Sequence, residues 1–262
     1  MNGADESRAP IPAGGPIGRK SRFALTQIAK LATFTGLYWM LGEALGTGNW
    51  ADIDTLKISG NVVMLTVMLP VTYVLFRREA RLLGKHLGEA RKWLISIRFV
   101  ILILLAEILL STAITLSFYF WLPRHLSSAH PRTAKQIFEK VIMPIVERGE
   151  IDFNSSLALL IACIAAPAME EMVFRGGLFA LLLKFTGKLP AVFLSSLIFA
   201  GLHQIGIERI NYMVLSVHVA SGIALCLVLL FTRRLFWCFV LHSLWNTGIA
   251  ILAILVLSYL VP

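Results

Sequence analysis

Seven apolar runs, most of them as long as a bilayer crossing, dominate this 262-residue chain. A helix needs about 20 mostly apolar residues to cross ~30 Å of hydrocarbon. By that ruler the runs fall at 23–46, 58–76, 94–122, 155–184, 189–207, 212–231 and 235–260. Hydrocarbon offers backbone N–H and C=O groups no water partner, and the runs lack the alternation of barrel strands, so they predict helices. The expected fold is all-α, a polytopic integral membrane protein with about seven transmembrane helices. Composition agrees. The chain is 57% hydrophobic and 15% charged, against roughly 45–50% and 25% in an average soluble domain. That excludes an ordinary soluble enzyme and a disordered chain.

The net charge of +9 reads as a topology signal rather than a nucleic-acid surface. With the N-terminus inside, fourteen Lys and Arg fall in inside segments and seven in outside ones. This bias predicts a cytoplasmic N-terminus and an outer C-terminus. The membrane is expected to be the plasma membrane of a bacterium. Six of the fourteen lie in 77–92, an expected topology anchor that can also touch anionic lipid heads. Residues 1–22 are rich in Gly and Pro and predict a disordered cytoplasmic tail. The rival reading, a signal peptide, is disfavoured because Lys30 interrupts the apolar stretch. Residues 23–154 form an expected N-terminal helical region. Its last part, the polar loop 123–154, predicts a short amphipathic helix near 133–148. Cys163, Cys226 and Cys238 sit in apolar runs without CxxC spacing, so neither a disulfide framework nor a zinc ribbon is expected.

Ionisable groups inside membrane spans are expensive, which makes each a candidate site. Glu170-Glu171-Met172-Val173-Phe174-Arg175-Gly176 lies within one long run. Glu171 and Arg175 are i,i+4 with the acid N-terminal, the favourable order for an ion pair. Glu170 points about 100° away, so it is the acid left for chemistry. Phe199 and His203 are also i,i+4, which lets the ring stack on the imidazole. His242 and Asn246 repeat that spacing, and an amide beside an imidazole can serve as donors or as packing glue. Depth brings these clusters together. Glu170 and His203 each lie fourteen residues from the turn at 184–190, or ~21 Å. His242 and Asn246 lie ~10–17 Å from a turn on the same side. Glu43, Glu107 and His218 are left outside the site, and Arg98 near a span end can snorkel. Ser195 and Ser196 lack a triad geometry with His203.

E-E-x-x-F-R-G, F-x-x-x-H and H-x-x-x-N, in this order on successive apolar runs, resemble the CPBP family of intramembrane proteases. That group contains type II CAAX prenyl endopeptidases and bacteriocin-processing or self-immunity proteins. The resemblance covers 155–260, including the turn at Thr232 and an expected interfacial Trp237. It makes 155–262 an expected protease core of four helices. It implies hydrolysis of a peptide bond in a membrane-associated or lipid-modified substrate. It further implies that Glu170 activates water, that Glu171 and Arg175 support it, that His203 orients the water, and that His242 and Asn246 steady the oxyanion. Glu170, His203 and His242 also resemble a His₂Glu zinc set, but the HExxH helix of a strong zinc signature is missing. The metal-free glutamate mechanism is favoured, with no cofactor, and zinc is the alternative. Expected partners are membrane lipids and a membrane-bound peptide or protein, with no nucleic acid. Two other functions fit mid-membrane polar residues: a non-enzymatic self-immunity or interaction protein, and a transporter, for which Pro167 offers a local break but no second half repeats it.

Overall fold

Helix ends in this chain are set by a few capping residues, and among the described residues these divide the apolar runs into eight elements. The computed structural model describes residues 16–46, 62–78, 90–120, 142–149, 151–204 and 210–260. Among them there is no strand. We number the helices α1 (Pro16–Gly46), α2 (Leu69–Leu75, preceded by a π-helical stretch Met64–Met68), α3 (Ala90–Phe120), α4 (Met143–Arg148), α5 (Phe153–Thr186), α6 (Lys188–Leu202), α7 (Tyr212–Thr232) and α8 (Leu235–Leu260).

Among the described residues four segments are long and apolar enough to cross a membrane: Ile95–Phe120, Phe153–Thr186, Tyr212–Thr232 and Leu235–Tyr259. The apolar helices Leu65–Leu75 and Lys188–Leu202 are shorter. At 15 residues α6 reaches only ~22 Å. The 31-residue α1 is long enough but not among the four; Gln27 and Lys30 dilute its apolar run. Two boundaries differ from expectation. The first helix begins at Pro16, so residues 16–22 are helical rather than tail; proline suits the first helical turn because its missing N–H has no partner there. The fifth run ends at Leu202 instead of 207, where Gln204 N–H turns back to Gly201 O at 2.9 Å. Of the expected 133–148 helix, the part from Met143 to Arg148 is observed, and 133–141 lies outside the described residues.

Local chemistry explains the joints of the C-terminal part. Asp152 caps α5 by accepting the Ser155 N–H at 2.7 Å, and Asn211 caps α7 by accepting from Val214 at 3.0 Å. Gly187, at φ 84°, makes the sharp α5–α6 turn that a residue with a Cβ resists. Arg233, at φ 55°, ends α7 in the left-handed region.

α5 is not a uniform α-helix. Ile161–Ala165 and Glu171–Phe179 are π-helical. The first stretch ends next to Pro167, and the π-helical Met64–Met68 ends next to Pro70 in the same way. Proline lacks the N–H that the α ladder needs, and widening the turn is one way a helix accommodates it. Thus Pro167 does not unwind the helix; it changes the register.

Packing crosses the expected boundary at 154/155. Phe76, just past α2, is fully buried with Met172, Val173, Phe174, Phe199 and Leu235. It sits over Gly177, where an added Cβ would lie 2.8 Å from its ring. α6 and α7 approach closely as well: a Cβ on Gly222 would come within 2.9 Å of the Ser196 backbone. Small residues let helices meet in this way inside membranes. Trp237 is buried with Val100, Leu225 and Cys238. It is therefore a core residue and not an interfacial one, because α3 from the N-terminal region covers it.

Candidate active site

Two adjacent glutamates on α5 occupy different surroundings. Glu171 is fully buried. Its Oε1 stands 3.1 Å from Arg175 Nη1 and accepts the His242 Nδ1 proton at 2.8 Å. Arg175 is buried too, and its guanidinium lies 4.3 Å from the Phe199 ring centroid, within cation–π range. Glu170 is 27% exposed. Its Oε2 has no hydrogen-bond partner. Two imidazole nitrogens face that oxygen: His203 Nε2 at 3.7 Å and His242 Nε2 at 3.8 Å.

The tautomers of both rings follow from their partners. His203 Nδ1 lies 2.8 Å from the Phe199 carbonyl. A carbonyl only accepts, so Nδ1 carries the proton. This bond exists because α6 stops at Leu202: the His203 backbone N–H turns to Gly201 O, and the Phe199 carbonyl is left for the ring. His242 Nδ1 donates to a carboxylate by the same logic. In the neutral rings both Nε2 atoms then present lone pairs to Glu170. These separations are too long for direct hydrogen bonds and suit a bridging water.

Asn246 is tied to a neighbouring helix. Its Nδ2 donates to the Ala162 carbonyl at 2.9 Å. The reason lies in the π register of α5. Ala166 N–H bonds to Ile161 O, one residue beyond its α-helical partner, Ala162. The next residue in that register, Pro167, has no N–H to give. Ala162 O therefore lacks a helical donor, and Asn246 supplies one. The amide keeps a second N–H. The structure thus gathers Glu170, Glu171, Arg175, His203 and His242 through direct contacts, and ties Asn246 to the wall of α5.

Two residues set aside in the sequence belong to these surroundings. The His218 ring lies 4.4 Å from the His203 ring at 35°, and its own Nδ1 is held 2.8 Å from Val214 O. Phe199 underlies the cluster, with ring centroids 4.5 Å from His203, 6.3 Å from His218 and 6.1 Å from His242. Glu107 of α3 is buried and accepts a hydrogen bond from Ser221, three residues after His218 on α7. No spacing motif links α3 or the start of α7 to the other clusters, so only their status as ionisable groups in apolar runs marked them. Ser196 donates to Val192 O at 2.7 Å, as a packing residue does. The side chain of Glu43 lies outside the described residues.

The donor set is placed somewhat wider than that of a zinc centre. Tetrahedral zinc, with bonds of ~2.0–2.1 Å, puts its ligands about 3.4 Å apart, and the contacts to Glu170 are 3.7 and 3.8 Å. Among the described residues no group of three His, Cys, Asp or Glu is placed to hold a metal ion.

Fold and site together define an all-helical, polytopic membrane protein with a partly buried acid–imidazole cluster. The family comparison is more specific. Residues 152–248 match the Rce1-like family model, described as type II CAAX prenyl endopeptidase Rce1-like, so this part of the chain is similar to that family. The matched segment contains all six expected site residues and His218, while Glu107 and Phe76 lie outside it. No curated protein and no solved structure matches the chain.

Proposed function

We propose that the protein is an intramembrane endopeptidase that cleaves a membrane-associated or lipid-modified substrate, with water activated by Glu170. The observation that carries this reading is the convergence of two Nε2 atoms on the unpartnered Oε2 of Glu170. A water placed there faces three lone pairs and brings two protons, so it is held and oriented on both sides.

The Rce1-like match supports the same chemistry. Glu170 takes a proton from the water as the hydroxide adds to the scissile carbonyl. The C–N bond then breaks, and Glu170 returns the proton to the leaving amine. His203 fixes the water's position through its Nε2. His242 carries a carboxylate on its far side, the arrangement that fixes the ring and its tautomer in serine protease triads; its Nε2 shares with that of His203 the hydrogen bond from the water's second O–H. The second N–H of Asn246 is the candidate donor to the oxyanion. One such donor lowers the barrier by about 3–4 kcal/mol. The protease is expected to work without metal.

The test uses purified protein in lipid discs with candidate lipid-modified peptides, with and without a chelator, and mass spectrometry of the products. Cleavage should persist with chelator and vanish in Glu170→Gln and His203→Ala while both variants remain monodisperse. Loss with chelator would make the reaction metal-dependent. Full turnover in both variants would remove Glu170 and His203 from the reaction, and absence of cleavage in the parent protein would favour a binding protein.

A further inference from the structure

A second feature lies at the turn end of α5–α6 and α7–α8, away from the acid–imidazole cluster. There α5, α6 and α7 leave a cavity of about 660 Å³ between them. Its wall is apolar, with Phe179 and Leu183 from α5, Val192 and Phe193 from α6, and Ile223 and Leu230 from α7. Phe193 at its edge is 59% exposed, so the cavity faces the surroundings of the bundle and is not sealed in its core.

Two cations line this groove, Lys188 and Arg233. Both are exposed, and neither has an ion-pair partner among the described residues. Among the described residues no acid lines the groove. The first turn of α6 holds no acid either, and its cap, Gly187, supplies no side-chain acceptor to the free N–H groups there. Lys184, one turn before, is different: its ammonium lies 4.3 Å from the Phe23 ring. Arg233 is fixed at the rim by its left-handed backbone and by its N–H bond to Leu229 O at 2.8 Å. An apolar slot whose only charged residues, among those described, are two cations is complementary to an apolar chain bearing an anion at its end.

We infer that this groove binds one anionic phospholipid of the surrounding membrane, with an acyl chain along Leu183, Val192 and Phe193 and its phosphate between Lys188 and Arg233. The bilayer supplies that ligand at high local concentration, and cationic residues near its surface attract it. Neutral phospholipids fit the apolar wall equally well, but their own headgroup cation already balances the phosphate. Neither Glu170 nor the imidazoles take part, so this binding stands or falls separately from hydrolysis.

The test is native mass spectrometry of the full chain exchanged into equimolar dioleoyl phosphatidylglycerol and dioleoyl phosphatidylcholine. One phosphatidylglycerol should be retained per chain, at least about tenfold over phosphatidylcholine. The double substitution Lys188→Gln with Arg233→Asn removes both charges and keeps a residue that tolerates the left-handed backbone. It should bring the ratio close to one. Phe193→Gln places an amide in the slot wall and should reduce retention of both lipids. All three positions are exposed, so unfolding temperatures should match the parent. Millimolar inorganic phosphate should not displace the lipid. Equal retention of the two lipids by the parent, an unchanged ratio in the double variant, or displacement by inorganic phosphate would each overturn the assignment. So would a dimer that forms only when lipid is removed, since a second copy would then be the occupant.

Discussion

Glu170 and Glu171 are neighbours in sequence but differ in what their loss should do. Glu170 Oε2 has no hydrogen-bond partner in the fold. Glu170→Gln is therefore expected to leave thermal unfolding within a few degrees of the parent and to lower turnover at least about 10²-fold. Glu171 supports both Arg175 and His242. Glu171→Ala leaves a buried guanidinium without its countercharge, which costs about 3–5 kcal/mol; a large fall in unfolding temperature, together with loss of cleavage, is the expected result. Glu171→Gln still accepts the His242 proton, so it should retain more of the His242 orientation than alanine does, read as a higher turnover at a temperature where both are folded. His218 adds a point that spacing did not mark. It packs on the face of His203, so His218→Phe, which keeps a ring, should retain more activity than His218→Ala.

At the scale of the element, α5 owes its shape to a proline. Because Pro167 cannot bond to Ala162 O in the π register, Asn246 does so from α8. Asn246→Ala should therefore destabilise the protein by about 1–3 kcal/mol, the cost of an orphaned buried carbonyl. Pro167→Ala restores an N–H at the position that needs it. In that background Asn246→Ala should cost clearly less stability, measured by a double-mutant cycle of unfolding temperatures. Turnover reports separately on the oxyanion. With the remaining amide N–H of Asn246 as a donor to it, cleavage stays low in the doubly substituted protein even where stability returns; recovery of cleavage along with stability would confine Asn246 to holding α5. The α6–α7 contact offers another check. Gly222→Val drives a side chain into the Ser196 backbone. Overpacking of this sort costs about 1–3 kcal/mol, and it should also lower turnover by shifting His203 relative to His218, with both effects read on the same sample.

At the scale of the molecule, the N-terminal helices complete the core of the segment 152–248 that matches the Rce1-like family model. Phe76 fills the notch over Gly177, Val100 packs with Trp237 and Leu241, and Glu107 reaches Ser221. Phe76→Ala should cost about 3–5 kcal/mol through the cavity it leaves. Its effect on cleavage is expected through stability alone, so turnover per folded molecule should match the parent. The alternative outcome, a loss of turnover at full stability, would give α2 a direct part in the reaction.

The sequence by itself determined the helical class, the order of the helices and the pairs separated by four residues. Hydrocarbon tolerates few ionisable side chains, so those that occur there stand out, and helical periodicity puts each pair on one face. It also separated the surroundings of Glu170 and Glu171, because adjacent positions on a helix point apart. Tertiary structure decided the rest. Whether Glu170 meets two lone pairs, whether Asn246 bonds to a carbonyl on α5, and whether Trp237 faces lipid or α3 all depend on how separate helices pack. The π register of α5 was likewise hidden, since Pro167 permits a kink, a break or a widened turn, and the neighbouring helices select among them. Periodicity describes one helix at a time, whereas a catalytic geometry exists only between helices.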